Sequence, residues 1–202
     1  EEREASHIQK QYQKIFQEKK SPAQRVLEMR HVYDMTMTRP KLPPKTIQSW
    51  YELFLNDKVS GMDTVFQLYH LTEIKPTFSV KRIQAYYEEV DSVTAARMVE
   101  LTGILPQKER EKWMLHHLFL SGHWNLLGRV RDKLNEPLVF DEATIKEAYD
   151  HYAQDFDFIR NFKCVYDCTG VKPDEEHRVR LYRDIYVRTR SGFISKWKQL
   201  EA

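Results

Sequence analysis

The chain has 202 residues, 41% of them hydrophobic and 31% charged, enough to bury a substantial core. Its formal net charge is only +2, so no overwhelming field of one sign marks it as a nucleic-acid binder, and no apolar run approaches the roughly 20 residues that a membrane-spanning helix needs. The opening Glu1-Glu2-Arg3-Glu4 has none of the character of a secretory signal; the absence of an initiator methionine is expected of a processed product or a fragment, and no membrane insertion is expected.

From the first residues onward the chain reads as helices. Ser21-Pro22-Ala23-Gln24 is a capping box with proline at the first helical position, which divides residues 1–38 into two helices. Residues 1–41 are therefore expected to form an N-terminal capping hairpin and residues 42–202 the array that follows. Five short turns then recur: Leu42-Pro43-Pro44, Lys75-Pro76-Thr77, Leu105-Pro106-Gln107, Val139-Phe140-Asp141 and Lys172-Pro173-Asp174. Their last residues are 33, 30, 34 and 33 positions apart, and a period of about 34 with two short helices per unit signals stacked helical hairpins.

An apolar pair marks the first helix of each unit: Leu53-Phe54, Tyr86-Tyr87, Met114-Leu115, Ala148-Tyr149 and Leu181-Tyr182. Each pair precedes a breaker (Ser60-Gly61, Asp91-Ser92, Ser121-Gly122, Gln154-Asp155, Ser191-Gly192), after which a second apolar stripe begins at helical spacing, as in Val65, Leu68 and Tyr69 or Phe158, Ile159, Phe162 and Val165. Asp141 and Asp174 are placed to cap the helices that follow them, while Gly103 and Gly170 suit left-handed C-terminal stops. Residues 193–200 would be a shortened last helix. The expected fold is an all-α, right-handed α-solenoid of about five antiparallel hairpins, with the first helices lining the concave face.

Signatures of catalysis are missing. There is no glycine-rich phosphate loop, no G-x-S-x-G elbow and no H-E-x-x-H or C-x-x-C spacing. Cys164 and Cys168 lie four apart on one predicted helix, where parallel side chains do not meet disulfide geometry, and they read as small buried hydrophobes. His116-His117 with His123 is the only histidine cluster, and adjacent histidines point to different helix faces. The many carboxylates are expected on solvated faces. No enzyme, cofactor or metal is expected.

The strongest charge feature is the C-terminal segment. Arg178, Arg180, Arg183, Arg188, Arg190, Lys196 and Lys198 face only Asp184 and Glu201 there, interleaved with Tyr182, Tyr186, Phe193 and Trp197. Arginines beside aromatics suit a nucleic-acid backbone and unpaired bases. Equally, the aromatics suit a helical core and the charges a soluble end cap.

Trp50-Tyr51-Glu52-Leu53-Phe54 through Gly61, followed by closing turns such as Thr169-Gly170-Val171-Lys172-Pro173-Asp174, Gly103-Ile104-Leu105-Pro106-Gln107 and Glu73-Ile74-Lys75-Pro76-Thr77, resembles the pentatricopeptide repeat family over roughly residues 42–200. Tetratricopeptide repeats share the period, but their small-residue pattern at the bend is not seen. The resemblance implies single-stranded RNA binding, usually in mitochondria or chloroplasts, with one base read per repeat by an early side chain of the first helix and the closing residue. Those positions here hold Tyr51, Gln84, Lys112, Lys146 and Val179, with Thr77, Gln107, Asp141 and Asp174 as closing residues. None forms a combination of the kind the family uses, and a two-residue shift in the first repeats, to Ser49 and Arg82, does not restore one. Arg82, Lys112 and Lys146 suit phosphates better than base edges; alternatively Lys112 pairs with Asp141 and Lys146 with Asp174. Two classes follow: a mitochondrial binder of single-stranded RNA acting without chemistry of its own, or a scaffold subunit of a large ribonucleoprotein such as a mitochondrial ribosome, touching rRNA and other subunits.

Overall fold

A computed structural model of the protein describes residues 2–57, 61–134, 137–155 and 158–188, with side chains from 4 to 183. Eleven helices and no strand lie among the described residues, in two compact units, Glu1–Arg110 and Glu111–Ala202. The first unit holds α1 (Glu2–Gln17), α2 (Pro22–Thr36), α3 (Pro44–Leu55), α4 (Gly61–Thr72), α5 (Val80–Tyr87) and α6 (Ser92–Thr102). The second holds most of α7 (Lys108–Leu120), then α8 (Trp124–Arg131), α9 (Glu142–Tyr152), α10 (Phe158–Thr169) and α11 (Glu175–Arg188). Ser191-Gly192 and the expected helix over 193–200 lie outside the described residues.

Consecutive helices pack as pairs in both units, and in the first unit like helices of neighbouring pairs also meet. In the first unit α1 packs on α2 and α3 on α4, while the second helices α2 and α4 also touch. The core there is formed by Tyr12, Met29, Ile47, Tyr51, Leu68, Leu71, Ile83, Tyr87, Met98 and Leu101, all fully buried. In the second unit α9 packs on α10, and the ring of Trp124 on α8 lies 5.5 Å from that of Tyr152 on α9. Phe119, Leu127, Val130, Ala148, Tyr149, Phe162 and Val165 are its buried centre.

Local chemistry at the helix ends matches the sequence at several points. Ser21 makes both arms of the capping box with Gln24, and the carboxylates of Asp141 and Asp174 accept the amides of Thr144 (2.7 Å) and His177 (3.0 Å). Gly103 and Gly170 adopt φ +74° and +70°. Because the capping amides bond more strongly to the ionised carboxylates than to the protonated ones, they hold the Asp141 and Asp174 carboxyls below the usual aspartate value of 3.8. A depressed folded-state value means that this stability is present above the unfolded value and lost as pH falls through the folded one. Wild-type protein is therefore expected to lose urea resistance more steeply than Asp141→Asn/Asp174→Asn, in which the caps no longer titrate, as pH falls through and below the usual aspartate value of 3.8. Parallel curves of urea midpoint against pH would remove the caps from the account of acid stability.

The register differs from the expectation in the first two turns. Pro43 is the N-cap of α3 and Pro44 its first residue, so the true closing turn lies earlier, over Thr36–Pro40. The next helix starts after Ser79, whose hydroxyl accepts the Arg82 amide, and not after Thr77. In α3 Trp50, Tyr51, Phe54 and Leu55 are buried, so of the expected pair Phe54 faces inward and Leu53, 50% exposed, does not; the counterpart of Tyr87 is Tyr51, one turn before Phe54. Proline alone misleads here, because a proline both ends one helix and opens the next. On α11 Leu181 is buried but Tyr182 is 47% exposed.

Candidate nucleic-acid interface

Four of the five helical pairs close on one geometry. Each second helix ends in a threonine whose hydroxyl bonds back to the carbonyl four residues earlier: Thr36, Thr72, Thr102 and Thr169. The same oxygen accepts the amide two residues ahead, from Thr38, Ile74, Ile104 and Val171. The intervening Met37, Glu73, Gly103 and Gly170 are all left-handed, at φ 53°, 56°, 74° and 70°. A proline follows the threonine by four residues in each case: Pro40, Pro76, Pro106 and Pro173.

A buried tyrosine from the first helix locks this turn. The hydroxyls of Tyr12, Tyr51, Tyr87 and Tyr149 donate to the carbonyls of Thr38, Ile74, Ile104 and Val171 at 2.5 to 2.7 Å. Burial raises the pKa values of all four, so the hydroxyls remain donors throughout the physiological range. Three residues before the tyrosine, the first unit places a glutamine whose carboxamide makes two further bonds to the same loop. Gln9 bonds the Arg39 carbonyl and Lys41 amide, Gln48 both backbone groups of Thr77, and Gln84 the Leu105 carbonyl and Gln107 amide, all at 2.7 to 3.0 Å. In the α7–α8 pair the clamp is lost on both sides together. Leu115 occupies the tyrosine position and Lys133, four residues before Pro137, the threonine position.

This geometry decides where the expected readers fall. Tyr51 is no reader: its ring is buried and its hydroxyl is held by Ile74. The position equivalent to Gln84 is Gln48, and both carboxamides are occupied by loop backbone. In the second unit lysines take that place. Lys146 is 64% exposed and ion-paired to Asp150 at 3.1 Å, with Asp174 at 4.0 Å, so internal pairing is its observed state. Lys112 is exposed on α7, and Val179 is 56% exposed on α11.

Arg82 is taken up by the fold. Its Nε lies 3.0 Å from the Glu52 carboxylate and its Nη2 donates to Asn56 Oδ1 at 3.0 Å and to the Glu52 carbonyl at 3.4 Å, at the C-terminal end of α3. Arg110 does the same for α5, its Nε donating to the Tyr87 carbonyl at 2.7 Å. A guanidinium at a helix C-terminus satisfies carbonyls that have no helical partner and complements the dipole. On α11, Arg178 pairs with Glu175, whereas Arg180 and Arg183 are exposed without an ion-pair partner among the described residues. The Arg188 side chain and Arg190 lie outside the described residues. His177 anchors this helix: it is buried, with Nδ1 2.6 Å from Asp174 and Nε2 3.1 Å from Asp150, against the rings of Tyr149 and Phe162.

Four cations outside the expected set stand out. Lys41, Lys45, Lys75 and Lys81 are exposed on the two loops and helix starts of the first unit, and none has an ion-pair partner among the described residues. The signal for them was in the sequence: no acidic residue occurs between Asp34 and Glu52 or between Glu73 and Glu88.

No group of His, Cys, Asp and Glu able to hold a metal ion lies among the described residues, the two cysteines are free thiols, and no described helix is long and apolar enough to cross a membrane. No protein-family model, curated protein or solved structure matches the chain.

Proposed function

We propose that the protein is a non-catalytic, mitochondrial RNA-binding protein of the pentatricopeptide type, whose helical pairs stack into a right-handed α-solenoid and hold single-stranded RNA chiefly through its phosphates. The observation that carries this reading is the occupied carboxamide. At the first-helix position where the resembled family reads a base, Gln48 and Gln84 spend both hydrogen-bonding groups on their own loops. A side chain so engaged is held against its own loop with at most one amide hydrogen and one lone pair to spare, which favours backbone charge over base edges as the means of contact. The same observation favours the second reading, a scaffold subunit of a large ribonucleoprotein such as a mitochondrial ribosome, since scaffolding needs shape and charge and no legible bases.

Binding of labelled single-stranded oligoribonucleotides to the isolated full chain tests the first reading. Unrelated sequences are expected to bind within a few-fold of one another, with affinity falling steeply between about 50 and 200 mM salt. Replacing Arg178, Arg180 and Arg183 together by glutamine is expected to weaken all sequences alike and to lower the log–log salt slope by about 0.7 for every phosphate no longer neutralised. Strong discrimination between sequences at high salt would restore direct base readout. Crosslinking in extracts separates the two readings, because the scaffold is expected to show several fixed protein neighbours around one RNA.

A further inference from the structure

The first unit carries an edge whose charges the fold leaves uncompensated. Its two inter-pair loops are tied together: the Arg39 guanidinium donates to the His70 carbonyl and pairs with Glu73, at the start of the second loop. Gln48, one turn after Lys45, holds the backbone of Thr77, two residues after Lys75. Lys41 and Lys75 thus lie in joined loops, with Lys45 and Lys81 on the helices those loops open. The only carboxylate in these loops, that of Glu73, is already engaged by Arg39.

The placement of two of these lysines opposes the fold's own electrostatics. Lys45 and Lys81 stand in the first turns of α3 and α5, where a cation faces the positive end of the helix and where neither helix has an acidic residue. The corresponding turns of α9 and α11 in the second unit carry Glu142 and Glu175-Glu176. Cations that stability alone disfavours, gathered on joined loops, call for an external anion. Their spread over two loops and two helix starts suits an extended chain of charges better than one isolated phosphate.

We propose that this edge, lined by Lys41, Lys45, Lys75 and Lys81, is the surface along which the backbone of single-stranded RNA runs. The proposal rests on the RNA-binding reading above and places the contact away from Arg82, which is taken up by α3. Each lysine supplies a compact charge for a phosphate without selecting a base, so the surface is sequence-tolerant.

The test uses the full chain and a fluorescent oligouridylate titrated at several salt concentrations. Lys41→Gln/Lys45→Gln/Lys75→Gln/Lys81→Gln is expected to bind at least about tenfold more weakly near 0.1 M salt, with a log–log slope reduced by about 0.7 for each phosphate that no lysine now meets. The pair Lys45→Glu/Lys81→Glu is expected to melt at a higher temperature than wild type while binding more weakly, the signature of charges held for a ligand against stability. If wild type binds but the quadruple variant keeps its affinity and slope, this surface is wrong and the RNA reading stands. If poly-glutamate at equal charge displaces the oligouridylate as well as unlabelled oligouridylate does, the edge meets acidic protein and the proposal falls. If wild type binds no oligouridylate even at the lowest salt, the RNA reading itself fails.

Discussion

Tyr87→Ala is expected to lower the free energy of unfolding by about 4 kcal/mol, the largest single-residue effect we foresee in the chain. The ring is fully buried among the helices of the first unit, so truncation removes its transfer energy and leaves a cavity that the surrounding pairs fill only in part. The hydroxyl adds to this. It is the donor to the Ile104 carbonyl at 2.5 Å, and its loss strands a turn acceptor beneath the loop. Tyr87→Phe separates the two contributions, with an expected cost of about 1 kcal/mol for the hydroxyl alone. Urea midpoints of the two variants and wild type measure both numbers. An unchanged midpoint for the alanine variant would put the ring in solvent and dissolve the clamp as a stabilising device.

The second large effect belongs to Gly61, and its cause is space. A Cβ built there would sit 2.0 Å from the Phe54 carbonyl oxygen and 3.1 Å from its carbon, both backbone atoms that cannot swing aside. Gly61→Ala must therefore push α4 away from the end of α3, at an expected cost of about 3 kcal/mol. Gly103 is the natural control, for nothing lies within 4 Å of its Cβ position, yet its φ of +74° strains any other residue. Gly103→Ala is expected to cost about 1 kcal/mol, the left-handed penalty alone. Finding the two costs in the opposite order would show that the start of α4 stands further from the end of α3.

The periodic helices were legible from turns and apolar stripes, because both follow from chemistry within one helix or one loop. The register was not, in the first unit, since Leu53-Phe54 and Trp50-Tyr51 are equally plausible inward pairs until the loop carbonyl that chooses Tyr51 is known. A better signal was present: Gln9, Gln48 and Gln84 each precede a tyrosine by three residues, and Thr36, Thr72, Thr102 and Thr169 each precede a proline by four. Arg82 illustrates the other limit. Its charge was visible, but its engagement with Glu52 and Asn56, 30 and 26 positions earlier, depends on two helices lying side by side. For Lys146 the sequence leaves phosphate contact and pairing with Asp174 both open, and the geometry places it with Asp150, one turn along its own helix, with Asp174 at 4.0 Å.

The clamp touches only main-chain atoms of the loop it holds. A turn gripped by its backbone can exchange almost every side chain without losing a bond, as the differing loops Thr38-Arg39, Ile74-Lys75, Ile104-Leu105 and Val171-Lys172 already do within this one chain. The shape of the turn therefore constrains few side chains. Likeness among the hairpins of this chain is then written in intervals and not in identities: a tyrosine, then 15 to 24 residues later a threonine with a proline four places on. Ancestry scored by those intervals would survive long after residue-by-residue likeness had decayed.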